Sequence, residues 1–137
     1  MSTNTFKKIF PSDPDLLPEI EEYILDIAEQ ANLNPEKYNN LALSVAEAAS
    51  NCIKHGNNND SSKNLEINVK FSDKVIEVTF KDQGKGFDLG NVADPTAPEN
   101  ILKDHGRGIH IMRSFLDDIR YNFTPEGTEV TLVLELH

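Results

Sequence analysis

Two runs of strict alternation, three residues apart, constrain this chain most. Leu65, Ile67, Val69 and Phe71 are apolar at every second position, and Val75-Ile76-Glu77-Val78-Thr79-Phe80 returns after Ser72-Asp73-Lys74. Successive side chains of a strand point to opposite faces, so the pattern specifies a hairpin with one apolar face. Such a face needs a covering layer. The residues before it supply one. Leu16, Leu17, Ile20, Ile24, Ile27, Ala28 and Ala31 recur at spacings of three and four, which predicts an amphipathic helix over about 14–31, entered through Ser12-Asp13-Pro14-Asp15. Asn32-Leu33-Asn34-Pro35 breaks it. Pro35 suits the first turn of a second helix, where its missing N–H costs little. That helix has the apolar stripe Leu41, Val45, Ala48, Ala49 and Cys52, and Gly56 ends it.

The rest of the chain completes an α+β pattern. Residues 4–10 alternate loosely and predict a first strand, and 57–64 read as a polar loop. Residues 88–105, with Gly90, Pro95 and Pro98, predict a long loop, a length usually reserved for function or disorder. Ile109, Met112, Phe115 and Leu116 define a short helix after Gly106-Arg107-Gly108. Two strands, near 118–124 and 128–136, close the chain around Pro125-Glu126-Gly127. No repeat, low-complexity tract or linker interrupts the 137 residues, so the expectation is one domain over 1–137.

Charge and cysteine content narrow the function classes. A formal charge of −10 argues against a nucleic-acid module and against an anionic membrane surface. No apolar run approaches a membrane span, and the N-terminus carries no signal-peptide core. Cys52 is the only cysteine, which excludes an internal disulfide and a cysteine-rich metal site and suggests a reducing, cytoplasmic setting.

Four constellations could carry chemistry. On the second helix Glu47, Asn51 and His55 lie four apart, within about 80° of one another and at the edge of the buried stripe. Asn51 and Glu47 there could offer an oxygen ligand to Mg²⁺ and a base beside it, or simply form a polar border. His55 is read as capping the negative helix end. The second is Asp82-Gln83-Gly84-Lys85-Gly86-Phe87 after a strand. Its glycines permit close approach of a planar ligand, and Asp82 could accept from an exocyclic amine; the plain alternative is a turn that ends the strand. The third is His105-Gly106-Arg107-Gly108-Ile109 at a helix start, either an anion site or an ordinary glycine-rich entry. It is neither a P-loop nor a dinucleotide fingerprint. The fourth is Gly127-Thr128 opening the last strand, where a hydroxyl could reach a ligand held by Asp82 or merely sit in a hairpin turn.

In that order these motifs resemble the ATP-binding domain shared by histidine kinases, type II topoisomerases, Hsp90 and mismatch-repair ATPases. The closest match is the anti-sigma-factor serine/threonine kinase branch. Glu47-Ala-Ala-Ser-Asn51, Asp82-Gln-Gly-Lys-Gly86-Phe87 and Gly106-Arg-Gly-Ile-His-Ile-Met112, running on to Phe115-Leu116-Asp117-Asp118, carry the likeness, which covers essentially the whole chain. The resemblance implies the GHKL (Bergerat) fold, a two-layer sandwich in which a mixed β-sheet carries helices on one face. It implies ATP and Mg²⁺ as cofactors, with Asn51 holding the metal and Glu47 the general base. Asp82 would read the adenine amine, Gly84 and Gly86 would shape the pocket, and Thr128 would support it. Residues 88–105 would be a lid, and Gly106, Arg107, Gly108 and Ile109 would contact phosphate.

The branch further implies phosphorylation of a STAS-domain anti-anti-sigma protein on Ser or Thr, capture of a sigma factor, and a homodimer, with no direct nucleic-acid or membrane contact. The rival in a different class is a non-catalytic, ATP-responsive protein that sequesters a regulatory partner. Glu47, present four residues before Asn51, speaks against it.

Overall fold

The computed structural model describes residues 3–57, 60–83, 115–125 and 127–136. β1 (Asn4–Pro11) leads through a short 3₁₀ turn (Pro14–Leu16) into α1 (Leu17–Glu29) and α2 (Pro35–Asn51), then a π-helical turn (Cys52–Gly56). β2 (Asn64–Phe71), β3 (Val75–Lys81), β4 (Asp118–Thr124) and β5 (Gly127–Glu135) follow. The sheet order is β1-β2-β3-β5-β4.

Local chemistry sets the helix ends. Asp13 accepts the backbone N–H of Asp15 at 2.9 Å before the 3₁₀ turn. Asn34 caps α2 by accepting the N–H of Lys37 at 2.8 Å, with Pro35 in the first turn as its fixed φ favours. Between the helices Asn32 takes φ 57°, the left-handed conformation that asparagine tolerates better than most residues. Ile20, Ile24, Ile27 and Ala28 of α1 and Leu41, Val45, Ala48 and Ala49 of α2 are buried against Leu65, Ile67, Val69, Ile76, Val78, Phe80, Val130, Leu132 and Leu134 of the sheet. The predicted α+β class, with helices on one face, is what the chain forms.

The direction of the strands differs from the mixed sheet expected. All four described pairings are antiparallel. For β1 and β2 the cause is the helix pair between them. One helix would carry the chain to the far end of the sheet and give a parallel neighbour; two packed helices joined by a short connection bring it back to the end it left. Pro11, the last residue of β1, therefore pairs with Asn64, the first of β2. The other two adjacent-in-sequence pairs are hairpins.

The opposite face of the sheet is polar. Lys7 pairs with Glu66 at 3.1 Å, and Lys81 bridges Glu66 at 3.5 Å and Glu129 at 3.3 Å, a ladder across β1, β2, β3 and β5. Asn68 donates to Glu66 at 3.0 Å, and that bond, with Lys7 and Lys81 beside it, holds the Glu66 carboxyl below the usual carboxylate range. Glu129 in turn raises the Lys81 ammonium. Exposed pairs of this sort contribute little each. Their value is that a charged face does not collapse onto a neighbour, which leaves the helix side as the single core.

Candidate functional site

The site is built where the carboxyl end of β3, the first residues of β5 and the end of α2 meet. Asp82 follows the last residue of β3 and continues the alternation that buries Ile76, Val78 and Phe80 toward the helices. A carboxylate so placed has left water and needs compensation. Part of it comes from β5. The Asp82 N–H donates to the carbonyl of Thr128 at 3.0 Å, and the Thr128 N–H donates to Asp82 Oδ1 at 3.1 Å. Asp82 is 5 % and Thr128 1 % exposed, so the pair is an internal feature of the sheet end. The Thr128 hydroxyl is buried with no hydrogen-bond partner among the described residues. A buried hydroxyl in that state is worth one unmade hydrogen bond.

Gly127 permits this approach. Its φ is 157°, and a Cβ there would lie 1.9 Å from the Asp82 carbonyl oxygen and 2.8 Å from its carbon. Backbone atoms cannot yield to that contact, so the crossing of β5 beneath the β3 exit requires glycine. A hollow of about 360 Å³ at this end is bordered by Asp82, Gln83, Gly127 and Thr128, and by Glu66, Lys81 and Glu129 of the polar face. By the strand alternation the side chains of Asp82 and Thr128 belong to the helix side instead.

The end of α2 is tied to this sheet end through Asn57, just past its last turn, whose Oδ1 accepts the Gln83 N–H at 2.8 Å. Asn51 is the last α-helical residue and is 7 % exposed, while Glu47, one turn earlier, is half-buried. This is the border position that the helical arithmetic assigned them. Immediately afterwards the backbone widens into the π turn, closed by the Asn57 N–H on the Cys52 carbonyl at 2.8 Å. Such insertions recur at functional sites because they redirect a helix end. The regular four-residue spacing therefore holds for Glu47 and Asn51, while His55 stands on the wider turn. The helical run ends at Gly56 as expected, but its last turn is π rather than α. Cys52 opens the turn and is fully buried; burial pushes its thiol well above the usual value, and the charge of Asp82 adds to the rise.

Of the residues singled out from sequence, Glu47, Asn51, Asp82 and Thr128 lie at these adjoining elements. Gly84, Gly86, Gly106, Arg107, Gly108, Ile109 and the 88–105 segment lie outside the described residues. The short helix expected to begin at Ile109 also lies mostly outside them; Phe115 is helical and Leu116 is not. Asn57 was missed. It was read as part of a polar loop, yet it is fully buried and hydrogen-bonded to three chain segments. Its only local signal is its position one residue after the Gly56 that ends the helix.

The residues present fit a purine nucleotide. An internal carboxylate accepts from an amine, a buried hydroxyl beside it has bonding capacity left, and the pair sits at strand ends where a flat ring meets backbone. They also fit Mg²⁺ in one specific manner. Among the described residues no cluster of three or more His, Cys, Asp or Glu could hold a metal. Mg²⁺ is commonly bound by one or two protein oxygens with phosphates and water completing the shell, and Asn51 would supply such an oxygen.

Comparison with known proteins shows the family and the fold. The family described as histidine kinase-like ATPase domain matches residues 10–134. An anti-sigma F factor of Bacillus licheniformis is 35% identical over 113 residues, covering 77% of this chain and 76% of the relative. A serine-protein kinase RsbW of Oceanobacillus iheyensis is 24% identical over 118 residues, covering 82% and 75%. Among solved structures, the RsbU and RsbW domains of a Mycobacterium tuberculosis protein align with a TM-score of 0.71 at 11% identity. That alignment covers 97% of this chain and 32% of the other, so the chain spans about a third of the longer protein and shares its fold.

Proposed function

This chain belongs to the histidine kinase-like ATPase domain family, and we propose that within it the protein is an anti-sigma-type serine/threonine kinase. It binds Mg-ATP, phosphorylates a STAS-domain anti-anti-sigma protein on Ser or Thr, and sequesters a sigma factor while that partner is phosphorylated. The relatives named anti-sigma F factor and serine-protein kinase RsbW support the class. The observation that carries the nucleotide reading is the buried Asp82–Thr128 pair, with a hydroxyl still unbonded among the described residues, beside the Asn51 end of α2.

In this reading the residues divide the work. Asp82 accepts from the adenine amine, and Thr128 supports the same ring edge. Gly84 and Gly86 shape the pocket, and Gly106, Arg107, Gly108 and Ile109 contact the phosphates. Residues 88–105 close over the nucleotide. Bound Mg²⁺ neutralises phosphate charge, which suits an acidic protein and a reaction that depends on positioning and electrostatics. Asn51 holds the metal. Glu47, half-buried one turn away, takes the proton of the acceptor hydroxyl as that oxygen bonds to the γ-phosphorus and ADP leaves. A homodimer in the cytoplasm completes the proposal; among the described residues no helix is long and apolar enough to cross a membrane.

The test is phosphoryl transfer. Purified protein, Mg-ATP and each STAS protein of the same genome are mixed, and intact mass is read for one added phosphoryl group. Transfer to one of them that disappears with Glu47→Ala supports the kinase. Bound ATP with no transfer to any of them contradicts it and favours a non-catalytic sequestering protein.

A further inference from the structure

β2 and β3 pair regularly from Phe71↔Ile76 to Glu66↔Lys81, and beyond that point the ladder stops. The next backbone groups are nevertheless satisfied, because a side chain from elsewhere is inserted between the strands. Asn57 Oδ1 accepts the N–H of Gln83 at 2.8 Å, and Asn57 Nδ2 donates to the carbonyl of Asn64 at 3.1 Å. The Gln83 side chain closes the circuit, its Oε1 accepting the N–H of Asn64 at 2.7 Å. A primary amide offers the same donor and acceptor as a peptide unit. Asn57 therefore serves as one extra rung of the sheet, supplied by the residue that ends the π turn.

Two further bonds fix that rung. The Asn57 backbone N–H is held by the Cys52 carbonyl, and its Nδ2 also donates to the buried hydroxyl of Ser12, at the end of β1. Ser12 is itself anchored by its N–H on the Lys63 carbonyl at 3.0 Å. The side chain is completely buried, so each bond is made away from competing water. The consequence falls on the neighbouring residue. Asp82 is gripped on its β5 side by Thr128, but on its β2 side the backbone is held through Gln83, and thus through Asn57.

We propose that Asn57 is a positioning residue for base recognition: its side-chain amide fixes the β3 exit against the α2 terminus and so aims the Asp82 carboxylate. This deepens, and rests on, the reading of Asp82 as the group that accepts from the adenine amine. Loss of the rung lets the Asp82–Gln83 backbone relax away from β2, and the carboxylate loses its direction while the metal and phosphate end of the site is left intact. The signature is a fall in base discrimination rather than a general loss of nucleotide affinity.

The experiment measures dissociation constants for Mg-ATP and Mg-ITP, which carries an oxygen where adenine has the amine. Wild type is expected to prefer ATP by about tenfold or more, as sites built on such a hydrogen bond do. Asn57→Ala is expected to reduce that preference to below about threefold, with affinity for ITP within about threefold of wild type. Ile76→Ala, at the far end of β3, gives a control variant of lowered melting temperature that retains the full preference. Ser12→Ala removes one anchor of the rung with less risk to folding, and an intermediate preference is expected there. Folded Asn57→Ala with the wild-type preference overturns the proposal. If Asn57→Ala does not fold, an unchanged preference in Ser12→Ala overturns it equally. A wild type that binds ATP and ITP alike overturns the reading of Asp82 itself, and the positioning role with it.

Discussion

The two walls of the site are made from opposite materials. At the sheet end, Asp82 and Thr128 are buried, joined by one backbone bond and by a second from the Thr128 N–H to the Asp82 carboxylate, beside Gly127, where a Cβ would meet the Asp82 carbonyl. At the helix end, Glu47 is half-buried and Asn51 stands at the last α-helical position before the chain departs from α geometry. In the proposed reading the difference separates two physical tasks. Recognising a ring edge needs a carboxylate with a fixed direction, and a strand supplies it. Taking a proton from a partner's hydroxyl needs a group that a partner can reach, and half-buried Glu47 at the border of a helix meets that need, whereas Asn51 is about as buried as Asp82. Asn57 spans the two, bonded by its backbone to the π turn and by its side chain to the residue after Asp82.

The comparison breaks at specific substitutions. Asn51→Ala carries the largest expected effect, a loss of Mg-ATP binding of ~100-fold or more, as the proposed protein ligand to the metal is removed. Calorimetry reads it, and unchanged affinity would take Asn51 out of the site. Glu47→Ala is expected to leave ATP affinity within a few-fold and to slow transfer by ~10²-fold or more, the range of general-base catalysis. Wild-type turnover in a rapid-quench assay would return Glu47 to a border residue. Gly127→Ala sharpens the other wall. Forcing a Cβ into the Asp82 carbonyl is expected to cost about 2–4 kcal/mol in urea unfolding and to weaken ATP binding as well. A variant as stable as wild type would show that β5 adjusts freely.

The smallest effect is a control on the far side of the sheet. The Glu66 carboxyl lies below its ordinary value in the folded protein, chiefly through Asn68 and then Lys7 and Lys81. A lowered folded value stabilises above the unfolded pKa and the gain is lost as pH falls through the folded one. Glu66→Gln is therefore expected to cost less than about 1 kcal/mol at neutral pH, and the cost is expected to shrink in acid, with ATP affinity unchanged at every pH. A change in affinity would mean that the polar face takes part in the site.

Legibility in the sequence followed the range of the interactions involved. Alternation over 65–80 and the three-and-four spacing of α1 and α2 are local, and they specified the elements to within a few residues. The α+β class followed because those faces had only each other to bury. The direction of β2 relative to β1 did not follow from any one element, since it depends on the helix pair acting together. The π turn was hidden because Cys52-Ile53-Lys54-His55-Gly56 reads as ordinary helix. Asn57 was hidden for a stronger reason. Its partners Ser12, Asn64 and Gln83 come from three segments that meet only in the fold, and polar residues in a run such as 57–64 look interchangeable until they do. Asp82 and Thr128 were legible as candidates, while the two hydrogen bonds between them were not.

The most direct test is a calorimetric titration of Mg-ATP into wild type and Asp82→Asn. The substitution preserves shape and exchanges an acceptor-only carboxylate for an amide. An internal carboxylate that reads adenine predicts clear binding to wild type and a loss of ~30-fold or more in the variant, with its melting temperature little changed. Equal affinity in a folded Asp82→Asn would contradict the assignment of the strand wall to base recognition.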